Sequence, residues 1–198
     1  MAKRVILAGI VGGVALFFWL SIAHIFTGLA ATGIRELPNE PAVLNAFQTY
    51  IQEPGLYLFP GTGLGPNATR EQQQAAMQEM QKKADTGPSG ILVIRPKGGG
   101  GLTPFRLIHE FILNVVQALL LAILLAWAGN LGGYASRVAF VAVAGFFGTC
   151  CTNIQYWNWY SFPTNYTIAY MFTDFVGFLF VGLIAAALIR GKTASAHA

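Results

Sequence analysis

The chain has 198 residues, of which 55% are apolar and only 10% charged, with a mean hydropathy of +0.54 and a formal charge of +4. Soluble domains carry about 25% charged residues, so this composition describes a membrane protein. The basic residues form no arm or face, which argues against nucleic acid as a partner, and the two cysteines are adjacent, which leaves neither a CxxC pattern nor a disulfide framework.

Val5 to Ala31 is an apolar run of 27 residues behind Lys3 and Arg4. A secretory signal has an apolar core of about 7–15 residues. This run is about twice that length and reads as a retained first span, residues 1–33, with a cytoplasmic N-terminus. Gly9 and Gly13 form a small-xxx-small pair that would let another helix approach closely.

Residues 34–103 are the polar part, expected as an extracytoplasmic α/β domain ending in a Gly-rich hinge. Turn and cap signals predict a helix over 40–52 after Pro38, a strand over 55–59 (GLYLF), a helix over 67–84 capped by Asn67 or Thr69, and a strand over 91–94 (ILVI). A strand, a helix and a strand favour a right-handed crossover with the strands parallel. Gly61-Thr62-Gly63-Leu64-Gly65 follows a strand as a dinucleotide fingerprint does, but its spacing is GxGxG and Pro66 interrupts it; Lys97 before Gly98 to Gly101 lacks the GK[ST] of a phosphate loop. Both read as plain loops.

Residues 104–198 carry three more apolar segments, at about 104–128, 135–152 and 166–189, and a cytoplasmic C-terminal tail. Thr103 and Pro104 suit the N-cap and first position of a helix. At about 100° per residue, Thr103, Arg106, Glu110, Asn114 and Gln117 fall on a stripe roughly 80° wide, running from one end of the span to about the middle of the hydrocarbon layer. Such a stripe has to face protein or water. Asn153 to Asn165 has no charge and is rich in aromatics, with Tyr156, Trp157, Trp159 and Tyr160 expected as interfacial anchors in a connector. Lys3, Arg4, Arg137, Arg190 and Lys192 flank the spans on one side, so the positive-inside rule places both termini in the cytoplasm of a multi-pass protein of the cell (inner) membrane. The expected fold is a mainly α membrane protein, a four-transmembrane-helix bundle with a small extracytoplasmic α/β insertion between helices 1 and 2.

This topology turns positions into depths. His24, His109, Glu110, the Cys150-Cys151 pair and Asp174 all fall in the outer half of the bundle. Three uses compete for them. Arg106, Glu110, Asn114, Gln117, His24 and Asp174 could line an aqueous pocket or a proton or ion half-path. His24 and His109, on different spans, could hold a haem or a metal as cofactor. The stripe could also be the seam where an accessory or interaction subunit meets a membrane-protein partner or a second copy of the chain. Blander roles compete with each of these: an Arg106–Glu110 pair one turn apart that anchors the helix, a histidine bonded to a neighbouring span, and two small buried cysteines. HExxH, GxSxG and an HxE with PCxxC are all missing, so no catalytic residue and no metal site is assigned.

Overall fold

The structure is a computed structural model that describes residues 1–98, 100–129 and 131–189. Gly99 of the hinge, Asn130, and Arg190 and Lys192 of the expected C-terminal tail lie outside the described residues. The elements are α1 (Ala2–Phe26), a single 3₁₀ turn (Leu29–Ala31), α2 (Glu40–Tyr50), β1 (Gly55–Phe59), α3 (Arg70–Thr86), β2 (Gly90–Ile94), α4 (Pro104–Trp127), α5 (Tyr134–Tyr160) and α6 (Thr164–Leu188). Two compact units result: Met1–Arg35 together with the chain from Gly101 onward, and Glu36–Gly100.

The first unit is built from α1, α4, α5 and α6, the four helices long and apolar enough to cross a membrane. The close contacts, of α1 with α4 and α6 and of α5 with α6, are antiparallel and follow small residues. On α1, a Cβ at Gly9 would lie 2.9 Å from Leu119 and one at Gly13 only 2.5 Å from the backbone of Val115, so the pair spaced by four residues lets α4 lie directly on α1. Gly177 of α6 receives Leu16 and Trp19 of α1 in the same way, and Gly145 of α5 receives the ring of Phe178. Helix α1 therefore packs on α4 and α6, and α5 packs on α6, while α4 makes only slight contact with α5 and α6.

The resulting core is one-ended. Val5, Ala8, Leu16, Ala118, Leu121, Ala122, Leu125, Val141, Val181, Ala185 and Ile189 form one buried apolar cluster. It occupies the end where α1 and α5 begin and α4 and α6 finish, called the terminal end below. There the side chain of Arg137 caps its neighbours, Nη1 donating to the Gly132 carbonyl at 2.8 Å and Nη2 to that of Ala186 at 3.3 Å. Towards the opposite, distal end no residue of α4 before Asn114 is buried, and the helices part.

Helix α5 corrects the expected third span. The aromatic stretch predicted as a connector continues the helix through Tyr160, because no breaker intervenes before Pro163 and the side chain of Asn153 bonds back to Thr149. Ser161, at φ 57°, ends the helix, and residues 161–163 turn the chain into α6. Tyr156, Trp157, Trp159 and Tyr160 therefore sit on the last turns of α5.

In the second unit, Thr69 and Gln72 close a reciprocal capping box at the start of α3. Strands β1 and β2 form a two-stranded sheet, and they are antiparallel, with Gly55 opposite Ile94 and Phe59 opposite Gly90. The parallel expectation fails for a reason of path. The crossover rule presumes one traverse, whereas here the segment 60–69 and then α3 make an outward and a return leg. The chain re-enters the sheet beside the end it left.

Candidate functional site: a polar cleft at the distal end

Where the helices part, a cleft of about 470 Å³ opens between α1, α4 and α6. Its floor and walls on α1 are Phe17, Leu20 and His24; α4 supplies Arg106, Leu107 and Glu110, and α6 supplies Tyr170, Thr173 and Asp174. Leu29 and Ala30 of the 3₁₀ turn also line it. That turn is held down by a close approach at Gly33, where φ is +79° and a Cβ would stand 2.6 Å from that of Tyr166, so only glycine satisfies both conditions.

The polar groups are held from behind. The Asp174 carboxylate accepts a hydrogen bond from the hydroxyl of Thr149 on α5, and Asn153 Nδ2 donates to the Thr149 oxygen at 3.1 Å, giving a three-residue chain across the α5–α6 seam. The Glu110 carboxylate accepts from Asn114 Nδ2 at 3.2 Å. Asn114 is 0% exposed and its Oδ1 finds no hydrogen-bond donor among the described residues. The Trp19 indole N–H donates to the Thr173 carbonyl at 2.8 Å, which fixes α1 against α6 beside the cleft. His24 meets the Leu20 carbonyl through Nδ1 at 2.8 Å and stands edge-on to Tyr170, whose ring stacks on Tyr166 at 4.3 Å.

Of the residues singled out from the sequence, His24, Arg106, Glu110 and Asp174 thus line one cleft, and Asn114 is buried one turn beyond Glu110. The other two lie elsewhere. His109 is exposed, its ring against Phe105 at 4.1 Å, and does not line the cleft, so the two histidines do not share a cavity. Gln117 is exposed on the face of α4 that carries Leu113, Leu120 and Leu124. Cys150 and Cys151 are both free thiols. Among the described residues no group of three His, Cys, Asp or Glu side chains converges as a metal site would require. Thr149, Asn153 and Tyr170 escaped the sequence reading, although Tyr166, Tyr170 and Asp174 recur at four-residue intervals, as do Thr149 and Asn153, the spacing of one helical face.

Fold and composition define a multi-pass integral membrane protein: four apolar spans together with a small polar unit that carries a two-stranded sheet. No family model, no curated protein and no solved structure matches the chain.

Proposed function

We propose that this chain is a non-catalytic accessory or interaction subunit of a larger membrane complex, with its polar unit on the extracytoplasmic side and both termini in the cytoplasm. The observation that carries this reading is the state of the polar unit. Not one described residue between Glu36 and Gly100 is buried, so the unit lacks the apolar core that offsets the conformational entropy of a folded chain. Its apolar side chains are concentrated on the sheet. Residues paired across the ladder share a face, which puts Leu56, Leu58, Ile91 and Val93 together, with Leu56 at 67% and Val93 at 76% exposure. An uncharged face of this kind on a sheet with two free edges is the form of surface that a partner completes. Gln117 adds support from the spans: it sits at mid-helix in a row of exposed leucines, where lipid offers its amide no hydrogen bond and a neighbouring span would.

Crosslinking in native membranes followed by purification tests the reading. A recovered partner, or a crosslink between two differently tagged copies, is the expected result. A chain that purifies alone, monodisperse and stable, with no crosslinked product, would overturn it.

The cleft favours a second reading, a small redox or proton- or ion-handling protein, because it gathers His24, Arg106, Glu110 and Asp174. Its test is an absorption spectrum and metal analysis of the purified chain. A Soret band lost in His24→Ala would support a haem. For the proton version, Asp174→Asn should alter a pH-dependent activity or label, and indifference to that change would count against it.

A further inference from the structure

We propose that the distal cleft binds an amphipathic organic cation: an ammonium head with an alkyl or aryl body, entering from the bilayer. Three observations converge on that chemistry.

The first is the distribution of acid. The chain has eight acidic residues; all but Glu110 and Asp174 belong to the polar unit, and both of these line the cleft. Each accepts a hydrogen bond from a neutral donor, Asn114 in one case and Thr149 in the other, while Arg106 and His24 line the same cleft. The second is an excess of acceptors. Beyond the carboxylates, Asn114 Oδ1 is fully buried without a donor among the described residues, one turn deeper on α4 than Glu110. Asn114 does not itself line the cleft, so a donor-rich head would reach this acceptor only through a bridging water.

The third is the walls and the way in. Phe17, Leu20, Ile25 and Leu107 make most of the lining apolar, and Tyr170 brings an aromatic ring beside Asp174, a surface suited both to hydrocarbon and to an onium group. Arg106 belongs to the first turn of α4 and Glu110 to the next, so a cationic head at the carboxylates would sit one turn below the arginine. Helix α4 makes only slight contact with α5 and α6 and none of its residues before Asn114 is buried, so a molecule already dissolved in lipid would enter on that side. A metal cation fits less well, since among the described residues no three ligating side chains converge there.

Equilibrium dialysis of the full chain in nanodiscs, with empty nanodiscs as the baseline, tests the assignment using n-decylammonium, n-decanol and n-decyl sulfate. The expected result is saturable one-site binding of decylammonium, at least tenfold weaker in Glu110→Gln and in Asp174→Asn, with decanol and decyl sulfate showing only the partitioning of empty discs. Decylammonium at baseline would overturn it, as would carboxylate variants that bind like the parent. Saturable decyl sulfate would instead make the cleft an anion site built on Arg106 and His24. Should a carboxylate variant fail to fold, the three amphiphiles on the unaltered chain still decide. The result is separate from partner capture: a chain that crosslinks to nothing can bind the cation, and a subunit with a partner can fail to.

Discussion

Thr149 and Thr167 show how two hydroxyls of one residue type acquire opposite worth. Both are buried, at 6% and 7% exposure. Thr149 donates to Asp174 and accepts from Asn153, whereas the Thr167 hydroxyl has no partner among the described residues. Replacing either by valine keeps the shape and removes the oxygen. Thr149→Val strips a half-buried carboxylate of its donor and should destabilise the detergent-solubilised chain by about 2 kcal/mol. Thr167→Val relieves an unsatisfied group and should be neutral or stabilising by up to about 1 kcal/mol. Thermal unfolding of the two variants side by side checks both; equal losses would mean that the Thr149–Asp174 bond adds nothing. Asp174 stood out from the sequence because an acid in an apolar span is conspicuous. Its donor did not, since the two residues are brought together only by α5 lying on α6, and no local pattern records which helices become neighbours.

At the scale of the element, the same contrast separates glycines that hold helices together from those that merely weaken one. A methyl on Gly13 would overlap the backbone of Val115, which cannot rotate away, so Gly13→Ala forces α1 and α4 apart and should cost about 1–3 kcal/mol. Gly148 of α5 has open space where its Cβ would stand, and Gly148→Ala should gain up to about 1 kcal/mol from helix propensity alone. Unfolding midpoints that move in opposite directions are the expected outcome. The spans themselves were legible as long apolar runs, and both strands as short aliphatic runs between turn residues. The end of α5 was not, because an aromatic, uncharged segment has the composition of a membrane-interface connector and of a helix end alike, and the deciding residue was the first breaker, Pro163. Strand direction was not legible either. It depends on whether a connection traverses once or goes out and back, and the lengths of segment 60–69 and α3 had to be taken together.

For the whole molecule, the arrangement of spans and the proposed partner make separate demands. With four candidate crossings, one of them before the polar unit, Lys3 and Lys82 should lie on opposite sides of the membrane. Single cysteines at these positions, in a chain with Cys150 and Cys151 replaced by alanine, should react with an impermeant thiol reagent from opposite faces, Lys82→Cys from outside; labelling of both from one face would dissolve the shared depth assigned to His24, Glu110 and Asp174. The partner demands more, because a unit with no buried residue among those described gains its core only when something covers the sheet. Val93 stands beside Leu56 on the exposed face, and a charge there would have to be desolvated on docking, at a cost of several kcal/mol, while the free unit, already solvated at that point, would be little changed. Val93→Glu should therefore cut the crosslinked yield in native membranes by at least tenfold and leave membrane insertion and helical content as they are. Gln117→Leu, on the α4 row of leucines, should lower the yield only if the partner also reaches into the bilayer, since it removes one intramembrane hydrogen bond worth about 1 kcal/mol. Loss with Val93→Glu and none with Gln117→Leu would place the contact wholly at the polar unit; the reverse would place it among the spans, and the exposed sheet would then need another explanation.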